Sequence, residues 1–259
     1  LATALYKIYG IPLMLTVILI AIATTVYMHF GGQTSVIFTD LIQGFILIFA
    51  GLLIFTLGLN FLSANTSYSS GIEALWNSLS PSEKLPLANF NDPPDFNFVG
   101  IFWQDGVAGS IGFLFLNQGL IMRFMAAKSV NEGRKAAAFN VLFILPISAI
   151  VVSNAGWIGK AISNSIPGAL PADIAPNEVF VSVANLIAAP GVFGFVIAAL
   201  CAALMSTSDT LVNASSSVII NDIYRPLTKN KGSDKDQLEL ARWASVLVKV
   251  IAVILVPFF

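Results

Sequence analysis

The stretch from Ala203 to Asn213, reading ALMSTSDTLVN, gathers hydroxyls, a carboxylate and an amide inside an otherwise apolar run. At 3.6 residues per turn, Ala203, Ser206, Thr207, Thr210 and Asn213 fall on one helical face, with Asp209 at its edge. Leu200, Leu204, Leu211 and Val212 cover much of the rest. Such a stripe presents hard oxygen donors, the set a sodium ion would use. A carboxylate at the centre of a membrane helix costs roughly 2.5 to 3.5 kcal/mol on insertion scales, so polar groups at that depth commonly mark an ion or solute path. Hydroxyls alone also serve as hydrogen-bonding glue between membrane helices. The carboxylate and amide beside them favour a site.

The surroundings of that stripe must be lipid. The 259 residues are 56% hydrophobic and only 10% charged, with a mean hydropathy of +0.83, which places the chain among multi-spanning membrane proteins. The balance of 13 basic against 14 acidic residues gives no hint of nucleic acid. Cys201, the single cysteine, lies in an apolar run, and His29, the single histidine, cannot build a zinc site alone. No nucleophile and base pair, phosphate loop or metal-ligand cluster suggests an enzyme or a bound cofactor. The apolar runs at both ends read as a chain cut inside helices.

Six apolar stretches approach the roughly 20 residues needed to cross a bilayer core. They lie near 11–28, 37–62, 99–124, 136–157, 190–213 and 239–259. The connections at 63–98 and 158–189 are long and rich in Ser, Asn and Pro, with Lys84 and Lys160 as their basic residues. Those at 123–135 and 221–238 concentrate Arg123, Lys128, Arg134, Lys135, Arg225, Lys229, Lys231 and Lys235. Positive charge stays inside, so these two loops are expected in the cytoplasm and the Pro-rich ones outside the cell membrane. Trp76 and the prolines of the outer loops suggest short capped or amphipathic pieces on the surface.

Two other segments could do chemistry. The span at 99–124 carries Gly106, Gly109, Gly112 and Gly119 among Gln104, Asp105, Ser110, Asn117 and Gln118, a poor recipe for a straight helix. Discontinuous helices expose backbone groups to solutes in transporters, while glycines three apart equally suit close helix packing. The amides of Asn117 and Gln118 lean towards a solute path. Asp40 opens the 37–62 span, where it fits either a helix cap or a cation ligand. Lys249, in the last span, either snorkels or pairs with an acid.

Three stretches in this order carry a resemblance: FTDLIQ at Phe38–Gln43, NQGLIMRFMAAKS at Asn117–Ser129, and AALCAALMSTSDTLVN at Ala198–Asn213 leading to NDIYR at Asn221–Arg225. The chain resembles the sodium/solute symporters, among them the sodium/glucose, sodium/proline and sodium/pantothenate cotransporters. That resemblance implies an all-α membrane protein, a fragment of a five-plus-five inverted-repeat, leucine-transporter-like bundle. Residues 1–259 would be one transporter domain running from the end of core helix three through core helix nine. The glycine-rich span would be the broken sixth helix, and 190–213 the eighth.

Carried over by the same resemblance, the sodium ligands would be the Ala203 carbonyl and the Ser206 and Thr207 hydroxyls. Asp40, Asp209 and Thr210 map to a second cation site, with Asp209 standing where a small or hydroxylic residue is common. Ser110, Phe113, Asn117 and Gln118 lie along the expected solute path. The sugar-gripping residues of glucose-type members are not matched, since that region holds Ser110 and the apolar run NVLFIL at Asn140–Leu145. The expected activity is sodium-coupled symport of a small organic solute by alternating access, with Na+ and lipid as the other partners. A transporter-like sensor fused to a signalling module is the alternative. The solute and the oligomeric state are not readable.

Overall fold

The computed structural model describes residues 5, 6, 9–81, 83, 84, 100, 102–171, 174, 175, 178–228 and 233–258. Among the described residues there are helices and no strand. In chain order they are α1 (Leu13–Asn65), α2 (Gly71–Ser78), α3 (Phe102–Gly109), α4 (Ser110–Leu116), α5 (Gln118–Met125), α6 (Val130–Phe139) and α7 (Asn140–Ile144). There follow α8 (Leu145–Ser165), α9 (Val179–Ile187), α10 (Pro190–Val218), α11 (Ile219–Tyr224), α12 (Arg225–Leu227) and α13 (Asp234–Leu255). Of these, α3, α7 and α11 are π-wound.

Five runs among the described residues are long and apolar enough to cross a membrane: Leu13–Gly32, Thr34–Asn65, Val130–Ser165, Pro190–Leu227 and Lys235–Phe258. They answer five of the six expected spans. The remaining one, at 99–124, is divided into α3, α4 and α5, with the break at Asn117 rather than at a glycine. The first two spans are halves of α1, parted at Gly32, whose backbone (φ 58, ψ −150) only glycine adopts without strain. The sequence suggests a gap of several residues there; one glycine suffices to turn the chain.

Two spans run well past their expected ends. Val130–Ser165 and Pro190–Leu227, at 36 and 38 residues, exceed the roughly 30 Å hydrocarbon core by about 25 Å at about 1.5 Å per residue. Arg134, Lys135 and Arg225, expected in loops, therefore sit on helices, while Lys128 stays in the bend between α5 and α6. Ser129 caps α6 by accepting from the Glu132 N–H at 3.2 Å, and Glu132 pairs with Lys135 at 2.9 Å. Arg225 donates to Asn221 and Gln237, which satisfies its guanidinium at the end of the α10–α12 run.

The chain divides into two compact units, one of residues 48–196 and one of residues 1–47 with 197–259. In the first, Leu62, Ala74, Leu79, Ile158, Ala161, Ile162 and Val183 form a buried apolar cluster. Gly51 and Gly58, seven apart and so on one face of α1, let α8 approach closely; a Cβ at either would overlap Val151 or Ile158. Asn154 of α8 donates to the Gly51 carbonyl at 3.0 Å. The short pieces expected in the outer connections are α2 and α9. Ser70 caps α2, Ala74 is buried beneath it, and Trp76 stays exposed with Lys84 over its ring. Beyond α2, Glu83 accepts from the Ser80 N–H and meets Lys160 at 3.2 Å.

In the other unit the small buried cluster is Met28, Val36 and Val212, with Tyr27 and Val248 against it. Polar links cross it. Ser216 of α10 and Ser245 of α13 share a hydrogen bond of 2.9 Å, and His29 meets the Trp243 ring edge-on at 5.3 Å. A capping box of Ser233 and Asp236 starts α13.

Candidate functional site

The polar stripe lies in the second half of α10. Within a long helix two of its hydroxyls are satisfied by folding back one turn: Thr207 donates to the Ala203 carbonyl at 3.1 Å, and Thr210 to the Ser206 carbonyl at 3.0 Å. The Ala203 carbonyl and Thr207 hydroxyl are thus already side by side, with Ser206 on the adjoining position. Thr207 is exposed, and Ala203, Ser206 and Thr210 are partly buried. What this face offers is a compact patch of neutral oxygen, the ligand type a weakly polarising, hard cation needs when it sheds water.

Asp209 points elsewhere. It is fully buried, and its Oδ1 meets Nζ of Lys249, itself only 5% exposed, at 3.1 Å. The other carboxylate oxygen accepts from the Tyr27 hydroxyl of α1. Three helices, α1, α10 and α13, therefore meet at one neutralised carboxylate. A buried charge without a partner is strongly unfavourable in a membrane interior, and here the carboxylate, the ammonium and the phenol meet as a mutually bonded set. Of the two readings of Lys249, pairing with an acid is the one the structure shows.

Asp40 sits inside the Thr34–Asn65 half of α1, past its first turn, and not at a helix start. It belongs to the same unit as Ala203, Ser206, Thr207, Asp209 and Thr210. Ser110, Asn117 and Gln118 belong to the other. Ser110 opens α4 and is exposed. The Asn117 side chain accepts from the Leu120 N–H at 3.2 Å, capping α5 at the break, and Gln118 is the first residue of that helix. The side chain of Phe113 lies outside the described residues. A cavity of about 770 Å³ in this unit is lined by Ile121, Phe124, Met125, Val130, Arg134 and Val141, among others, and by none of these residues.

Tyr27 is the residue that sequence reading missed. Its signal was a phenolic hydroxyl within an apolar span, since a buried tyrosine ordinarily finds a hydrogen-bond partner. Nothing local names that partner, because it lies 182 positions away.

The chain is similar to a sodium/glucose cotransporter of Vibrio parahaemolyticus, with 26% identity covering 98% of this chain and 48% of that protein. A high-affinity proline transporter of Bacillus subtilis is 28% identical over 88% of this chain and 45% of its own. A sodium/pantothenate symporter of Haemophilus influenzae is 26% identical over 95% and 47%. The chain spans about half the length of these curated relatives. In fold it matches a solved Na+-coupled sialic acid symporter with a TM-score of 0.80 at 21% identity, covering 98% of this chain and 52% of that one. The expected class, an all-helical multi-pass membrane protein, holds. The model of the sodium:solute symporter family matches residues 2–259, and the chain belongs to that family.

Proposed function

We propose that the intact protein performs sodium-coupled symport of a small organic solute by alternating access. The observation that carries this reading is the oxygen patch on α10, where the Ala203 carbonyl and Thr207 hydroxyl lie 3.1 Å apart beside Ser206 on a membrane-spanning helix of a family member. In this reading Ala203, Ser206 and Thr207 bind sodium, and a second cation site is centred on Asp40 and Thr210, with Asp209 beside it. Ser110, Phe113, Asn117 and Gln118 line the solute path on the broken α3–α5 segment. A break there frees backbone groups that an unbroken helix would use internally.

The physical logic is one of linkage. Sodium is costly to dehydrate, so it binds where carbonyl and hydroxyl oxygens replace its water together. Held between α10 and the oxygens of a neighbouring helix, it favours one of two conformations. Solute affinity in that conformation rises by the same coupling free energy. Residues 1–259 are read as part of one transporter domain, with 123–135 and 221–238 on the cytoplasmic side and 63–98 and 158–189 outside. The named relatives are all transporters, and no observation favours a fused sensor.

The test is uptake by the intact protein in proteoliposomes, with a panel of labelled sugars, amino acids and carboxylates. An inward sodium gradient is expected to concentrate at least one of them, and choline in place of sodium to abolish it. Uptake equally strong in choline would contradict the proposal.

A further inference from the structure

Asp209 stands one position before Thr210, at the edge of the face proposed to bind cations, yet its charge is already answered. Lys249 lies 3.1 Å from one carboxylate oxygen, Tyr27 donates to the other, and both charged groups are buried. The space around the lysine is not filled. A cavity of about 260 Å³ reaches it past Thr16, Ser208 and Leu204, and another of about 350 Å³ past Thr25 and Val250. The Thr16 hydroxyl is buried there without a hydrogen-bond partner. A carboxylate whose counter-ion borders unfilled volume is where a small cation could sit, with an ammonium occupying the place.

We propose that the Lys249 ammonium is a resident cation for Asp209, keeping this carboxylate out of sodium binding and lowering by one the number of sodium ions the protein takes up. This rests on the sodium-symport reading for its consequence, though not for its geometry. A tethered ammonium and a free sodium ion compete for the same oxygen. The tethered one wins because it has no translational freedom to lose. Removing it leaves a buried anion that must either be protonated or recruit a cation from solution.

Equilibrium binding of radioactive sodium to the purified intact protein in lipid nanodiscs tests this without any solute. Lys249→Met is expected to bind one more sodium ion per protein than wild type, and the extra ion to vanish in Asp209→Asn/Lys249→Met. An unchanged count in Lys249→Met, or an extra ion that survives the second substitution, would overturn the proposal. Where Lys249→Met fails to fold, Lys249→Gln, which keeps a hydrogen-bond donor to Asp209 without the charge, is expected to gain the same ion, and an unchanged count would overturn the proposal. In the double variant the expected count is that of wild type, and loss of an ion would show Asp209 to be a sodium ligand and overturn it. A wild type that binds no sodium would overturn the symport reading instead, and Lys249→Met would then still gain one ion.

Discussion

The two units meet the same constraint with opposite chemistry. Residues 48–196 hold together by close apolar approach: glycines at 51 and 58 admit α8, and Leu62, Ile158, Ile162 and Val183 are completely buried. The other unit buries an ion pair, a phenol and hydroxyls among helices that have a smaller apolar cluster. Apolar packing between membrane helices gains nothing from the hydrophobic effect, since lipid is as apolar as the partner helix; it works through contact and shape. Polar sets work through mutual satisfaction and fail when one member is lost. The unit with the polar set also carries the oxygen patch of α10. Helices held by a few strong, specific links are suited to being held or released by an ion.

The contrast breaks most sharply at Lys249. Lys249→Ala leaves Asp209 buried without its counter-charge, and removing one partner of a buried pair costs about 3 to 5 kcal/mol. Thermal unfolding in choline chloride is expected to show that loss, with Asp209→Asn/Lys249→Ala recovering most of it. Equal stability of the two variants would mean that the pair contributes no specific link. In the apolar unit the corresponding injury is excess volume. Gly58→Val drives a side chain into Ile158 and is expected to cost about 1 to 3 kcal/mol, measured in the same way, without altering sodium binding.

Smaller effects sharpen the picture at the edges. Gly32→Ala forces a residue with a Cβ into positive φ, at about 1 to 2 kcal/mol; the measurable result is a lower unfolding temperature. Glu83 accepts from the Ser80 N–H and from Lys160, which together with Asn164 hold its carboxyl down to about 2 from an ordinary 4.5. Its contribution is therefore complete above about pH 4.5 and disappears as the pH falls through 2. With Lys160 53% exposed and Glu83 26%, the contact is screened by water and worth no more than about 1 kcal/mol. Comparing wild type with Glu83→Gln between pH 7 and pH 2 is expected to show a difference at the upper end only.

Most of the spans were legible because the bilayer imposes a length and a composition that few sequences meet by accident. The stripe on α10 was legible for the same reason, since oxygen in an apolar run needs an account. What could not be read concerns partners and windings. Lys249 and Tyr27 reach Asp209 from positions 40 and 182 residues distant, and no local pattern encodes such a meeting. The π-turns at Asn140–Ile144 and Ile219–Tyr224 are set by the backbone hydrogen-bond register within short segments, which residue types do not announce. The extra length of the Val130–Ser165 and Pro190–Leu227 runs was hidden by their basic residues, which read as loop although caps and side-chain bonds keep them helical. Asn117 was noticed as an amide in need of a partner; the partner proved to be the backbone of its own helix start.

The central claim is that Ser206 and Thr207 form the sodium-binding face of α10. The most direct measurement is equilibrium sodium binding to the intact protein, wild type against Ser206→Ala/Thr207→Ala, in nanodiscs and without solute. Loss of two hydroxyl ligands is expected to raise the sodium Kd at least about tenfold, equivalent to about 1.4 kcal/mol, with the fold retained by circular dichroism. A correctly folded double variant that binds sodium as tightly as wild type would contradict the account.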